Sequence, residues 1–157
     1  MRVVPMVIAN GPQAEPELIE ELRRDSRVRV WELEHANLPA AIQFGRARVD
    51  TPYFTSVDDD DQLVCNAFAV RCNVLNEDPA YDLVVTNGFR RTGGEDVLSI
   101  PDIRVVREDP IRALFRRNWF IPGCWLGWTD RVKQELFEGI PPYRECTYMA
   151  LRFSLAC

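Results

Sequence analysis

Four consecutive carboxylates, Asp58 to Asp61, follow directly on the run Tyr53-Phe54-Thr55-Ser56-Val57. Two carboxylates ~5 Å apart repel by about 3 kcal/mol at an effective dielectric of ~20. Such a cluster persists either as a solvated acidic turn or around a divalent cation. At the C-terminal end of a strand it occupies the position where α/β sheets bind ligands. Hard oxygen ligands there suit Mg²⁺ or Mn²⁺, with phosphate oxygens completing the shell. A cation so held neutralises charge on a departing phosphate.

The five cysteines, Cys65, Cys72, Cys124, Cys146 and Cys157, point elsewhere. Their number is odd and no CxxC pair occurs, which argues against both a zinc site and a disulfide framework. Cys65 and Cys72 are expected to share a helix face as small core residues. His35, the only histidine, stands at a strand end and reads as a surface residue. Arg90-Arg91 and Arg116-Arg117 are either phosphate contacts or solvated pairs.

The elements that must position these residues alternate in type. Arg2 to Ile8 reads as a strand ending in the Asn10-Gly11-Pro12 turn. Pro16 starts a helix with Glu15 and Glu17 at its positive end, running to Arg23-Arg24-Asp25. Arg27 to Leu33 reads as a second strand, and Asn37-Leu38-Pro39 starts a second helix. Tyr53 to Val57 is a strand and Val64 to Leu75 a helix. Leu83 to Thr86, Val97 to Ile100 and Ile103 to Val106 read as strands, the last two near a Gly93-Gly94 turn. Pro110 to Arg117 is a short helix. Thr129 caps a helix through Phe137, and Glu145 to the end is helical. This alternation predicts an α/β fold with a mostly parallel central sheet flanked by helices.

With 157 residues, the chain is expected to form one domain. A hydrophobic share of 46% and a charged share of 27% exclude a disordered chain. No apolar run approaches the ~20 residues of a membrane span, and no secretory signal is recognisable at Met1. A cytoplasmic location is expected. The net charge is −5, and without the four aspartates it would be −1, so nucleic acid is not an expected partner.

Asp50-Thr-Pro-Tyr-Phe-Thr-Ser-Val-Asp-Asp-Asp-Asp-Gln-Leu63 resembles the strand and DxD motif of family 2 glycosyltransferases. Val7-Ile8-Ala9-Asn10-Gly11-Pro12 resembles that family's "V-D-N-G-S" turn after its second strand. Asn37 to Gly45 resembles its "N-x-G-x-x-x-A-R-N-x-G" helix in shortened form. Ile121-Pro122-Gly123 resembles the loop before the acceptor-site helix. Glu145-Cys146-Thr147-Tyr148-Met149-Ala150-Leu151-Arg152 resembles the "E-D-x-x-L-x-x-R" helix start.

The resemblance implies a GT-A-like nucleotide-diphospho-sugar transferase fold, with residues 1–80 as the nucleotide- and metal-binding half and 81–157 as the acceptor side. It leaves the family's first strand and helix without a counterpart, so the fold is expected to be truncated, and both ends look cut. It implies transfer of a sugar from a nucleotide-diphosphate donor to a saccharide or other hydroxyl acceptor, with inversion. Asp58 and Asp60 would hold Mg²⁺ or Mn²⁺, and Asn10, Asp58 and Asp59 would face the nucleotide. Trp125 and Trp128, beside glycines, are the acceptor candidates, since indole faces stack on sugar rings as readily as they fill cores. The family's catalytic aspartate position is Cys146 here. Glu145, one position earlier, is either the base or a first-turn acid favoured by the helix dipole. Cys146 itself reads as a buried small residue. Peripheral membrane association is a further partner expectation. The alternative is a non-catalytic glycosyltransferase-like remnant or binding module.

Overall fold

The chain folds around a cluster of stacked aromatic side chains: Phe54, Phe120, Trp125, Phe137 and Phe153. The structure is a computed structural model and describes residues 2–157. Its elements are β1 (Met6–Asn10), α1 (Pro16–Arg24), β2 (Arg29–Leu33), α2 (Leu38–Arg46), β3 (Tyr53–Phe54), α3 (Ala67–Glu77) and β4 (Leu83–Val85). They continue with β5 (Phe89–Thr92), β6 (Glu95–Leu98), α4 (Arg104–Glu108), α5 (Pro110–Arg116), β7 (Trp125–Trp128), a 3₁₀ turn (Gln134–Phe137) and α6 (Glu145–Ala156).

The fold is mixed α/β, but the sheet differs from the expected one. Among the described residues, only β1 and β2 pair in parallel, from Met6↔Arg29 to Asn10↔Leu33. The main sheet has the order β3-β7-β4, and both of its pairings are antiparallel. The cause is Trp125-Leu126-Gly127-Trp128. A short run buried along its length suits a central strand, and it runs back between β3 and β4. Gly127 is required there, because a Cβ would lie 2.8 Å from Val132 Cγ2. A third, separate sheet is the hairpin β5–β6. Its Gly93-Gly94 loop has φ of 61° and 87°, the left-handed pair that a two-residue hairpin turn needs.

Local signals account for most helix starts. Pro16 opens α1, with Glu17 in the first turn and Arg23 and Arg24 in the last. Asn37 caps α2 by accepting from Ala40 N at 3.0 Å. Two local expectations are corrected. Ile103 to Val106 belongs to helix, not strand: Asp102 Oδ1 accepts from Arg104 N and begins α4. The segment after Thr129 forms only the 3₁₀ turn Gln134–Phe137, because Lys133 has an extended backbone and Thr129 N is drawn to Pro52 O.

The core draws on both halves of the chain. Trp125 has no exposed surface. Its ring centroid lies 5.1 Å from Phe54, 5.7 Å from Phe120 and 5.6 Å from Phe153. Arg46 ties α2 to this core: its guanidinium sits 4.4 Å from the Phe54 ring centre and donates to Thr129 O and Val132 O. Among the described residues, no helix is long and apolar enough to cross a membrane.

Candidate functional site

Beyond β3 the chain leaves the sheet and turns on the aspartates. Asp61 N donates to Asp58 O at 3.2 Å, so Asp59 and Asp60 form the tip of a turn and Asp58 and Asp61 its base. All four are exposed. None forms an ion pair with Lys, Arg or His among the described residues.

The tertiary fold places Glu145 within electrostatic reach of this turn. Burial of its inner side raises the Asp58 carboxyl above the ordinary carboxylate range, and Asp61, Asp60, Asp59 and Glu145 add repulsion. Asp61 is raised by burial and by Asp60. Glu145 opens α6, and its Oε1 accepts from Tyr143 N at 2.9 Å. That bond orients the carboxylate and leaves Oε2 with no hydrogen bond to the described residues. Cys146 is pushed up to about 11, by burial first and then by Asp58, Glu145 and Asp61. Its thiol therefore stays protonated at neutral pH and is no nucleophile. Asp58, Asp59, Asp60, Asp61, Glu145 and Cys146 thus form one acidic neighbourhood.

A buried arginine frames this neighbourhood. Arg71 is 4% exposed. Its Nη1 donates to Gly123 O at 2.6 Å and its Nε to Thr86 Oγ1 at 3.1 Å. Thr86 Oγ1 in turn donates to Cys124 O at 3.1 Å. Gly123 N donates to Ser56 O at 2.6 Å. A Cβ on Gly123 would lie 3.7 Å from Asp61 Oδ2, so the loop before β7 abuts the acidic turn. Burial lowers the Arg71 pKa. Arg71, Thr86 and Ser56 were not singled out in the sequence. The one available signal was spacing: Ala67, Arg71 and Leu75 recur every four residues on the buried face of α3.

The other expected site residues lie elsewhere. Asn10 ends β1 in the separate two-stranded sheet, and its Oδ1 accepts from Asn37 N at 2.7 Å. That carbonyl joins β1 to α2, supported by Gly11, where a Cβ would lie 2.6 Å from Ala36 N. Trp125 is corrected from acceptor residue to core residue: rings surround it, and Nε1 donates to Ser56 Oγ. Trp128 pairs with Tyr53, at the end of β3 remote from the aspartates. Its ring is stacked at 4.2 Å from that of Tyr53 and capped by Arg131. Cys65 is exposed ahead of α3, so it shares no core face with Cys72. His35 is exposed.

Two cavities flank the sheet. One of about 450 Å³ lies at the start of the strands, against Arg2, Arg29 and Asp50, away from the acidic turn. The other, about 320 Å³, is bounded by Val85, Thr86, Ile100 and Trp119, with Arg104 and Arg107 also lining it. It shares Thr86 with the Arg71 bridge.

The raised carboxyls set a pH dependence. A folded chain that holds these protons more tightly than the unfolded chain loses stability as pH rises from the unfolded value, ~4, through the raised one. Asp58→Asn with Asp61→Asn removes that loss. Expected is a stability, read from urea unfolding at each pH, that falls less between pH 4.5 and 7 than in the unsubstituted protein. Parallel curves would show that the turn carries no such strain.

Compared with known proteins, the chain matches no family model and no curated protein sequence.

Proposed function

We propose that this chain is a metal-dependent glycosyltransferase-like domain of GT-A type, acting on a nucleotide-diphospho-sugar. The observation that carries the reading is the turn closed by Asp61 N on Asp58 O, which presents four unpaired carboxylates beyond β3, with Glu145 at the start of the last helix within electrostatic reach of Asp58. A transferase of this kind needs a leaving-group clamp and a base on the acceptor side, and these two elements supply such a pair.

The acidic turn fits a cation only in part. Among the described residues, no group of three or more His, Cys, Asp or Glu is arranged to hold a metal. Mg²⁺ and Mn²⁺ held through one or two carboxylates and substrate phosphates need no such cage. Uncompensated repulsion at Asp58 favours a cation there. Asp58 and Asp60 would hold it, with Asp61 at the base of the same turn. Bound there, the ion neutralises charge on the departing nucleoside diphosphate. Glu145 Oε2 is free to accept the acceptor hydroxyl proton while the Tyr143 N–H fixes Oε1. Asp59 stays at the nucleotide side as an exposed tip residue.

A second reading, a non-catalytic relative or binding module, is favoured by two observations. β1–β2 and β3-β7-β4 form separate sheets, and the Asn10 carbonyl is already used on Asn37.

Thermal melting with Mn²⁺ plus UDP or GDP, against each alone, separates the two. A ligand at ~100 times Kd stabilises the native state by about 2.7 kcal/mol. The transferase reading expects a rise that needs both metal and nucleotide and that Asp60→Asn abolishes without lowering the unliganded midpoint. No rise with either nucleotide, in a chain that melts cooperatively, would leave the binding-module reading.

A further inference from the structure

We infer that the outer face of α5 is a docking surface for an anionic phospholipid bilayer. Within α5, Ala113 is buried and Leu114 packs on the core, while Arg112, Phe115 and Arg116 are exposed. Their spacing of three and four puts them on one side of the helix. Phe115 is 87% exposed and stands between Arg112 and Arg116 on this side. Arg117 follows directly, and Arg107 precedes the helix by one turn of chain.

The charge around Phe115 is free to act. Arg107, Arg112, Arg116 and Arg117 make no ion pair among the described residues. Residues 102–117 hold five arginines against Asp102, Glu108 and Asp109, a balance of +2 within a chain of −5, and of the five only Arg104 is paired, with Asp102. The cations are therefore gathered against the charge of the whole molecule. α5 packs against α6, which exposes Leu151 and Leu155. An apolar wedge ringed by unpaired arginines matches the boundary between anionic headgroups and acyl chains. An acidic protein segment would satisfy the arginines but leave Phe115 in water.

The test is cosedimentation of the whole chain with vesicles of phosphatidylcholine alone or mixed with phosphatidylglycerol. It needs no nucleotide, so it stands apart from the transferase reading. Pelleting is expected with the mixed vesicles only, and is expected to weaken as salt is added. Arg112→Glu with Arg116→Glu should lower partitioning at least about tenfold. Phe115→Ser should also lower it, while both variants keep the unsubstituted melting midpoint. Equal pelleting with neutral vesicles, or partitioning unchanged in both variants, would overturn the proposal. So would a dimer of the unsubstituted chain in solution that Phe115→Ser converts to monomer, since the face would then join two copies.

Discussion

Replacing Trp125 with alanine is expected to destabilise the protein by about 3–5 kcal/mol, the usual cost of emptying a buried aromatic site. The indole has no exposed surface and touches Phe54, Phe120, Phe137 and Phe153 within ring-packing distance. Its Nε1 also ties Ser56 to the core, next to the acidic turn. The loss should appear in urea unfolding as a lower midpoint at unchanged slope. Trp128→Ala should cost less, because that ring is only half-buried and loses mainly its stack on Tyr53. Equal costs for the two variants would refute a core centred on Trp125. An acceptor role for Trp125 would instead predict a stable variant with weaker substrate binding.

Replacing Arg71 with methionine is expected to cost about 2–3 kcal/mol, since each buried acceptor left without a donor costs about 1–3 kcal/mol. Gly123 O and Thr86 Oγ1 both lose their guanidinium donor. Relief of the buried charge offsets part of that loss. Lysine should not restore the arrangement, because one ammonium cannot reproduce two directions of a planar fork. Arg71 binds the loop before β7 to α3, and that loop abuts Asp61. The variants should therefore lose more of the metal-and-nucleotide response than their stability loss explains. Chemical unfolding gives the stability, and melting with Mn²⁺ and nucleotide gives the response. Full response in a folded Arg71→Met protein would confine Arg71 to a structural role.

Elements that arise from near neighbours in sequence were legible before the fold was seen. Pro16, Glu17 and the closing arginines define α1, and Asn37 defines the start of α2. Gly93-Gly94 places a hairpin, and Asp58 to Asp61 make a turn, although the strand expected to run from Tyr53 to Val57 ends at Phe54, three residues short of it. Each of these signals acts within four residues, the reach of a cap, a turn or a helix dipole. Chain composition alone also marked the acidity as local to one segment.

Partner choice across long separations was decided only by the tertiary structure. Nothing within a few residues of Trp125 says that its strand inserts antiparallel between β3 and β4. That placement follows from burying Trp125 in the cluster that holds Phe54, Val132 and Phe137, which come from other segments of the chain. The same collapse buries Arg71, turns Trp125 from a surface candidate into the core, and commits Asn10 to Asn37. It also sets the first turn of α6 within electrostatic reach of the aspartates. Burial of apolar area is non-directional and sums over the whole chain. Local pattern therefore determines which segments become strands and helices, and only the packed whole decides which carboxylates meet.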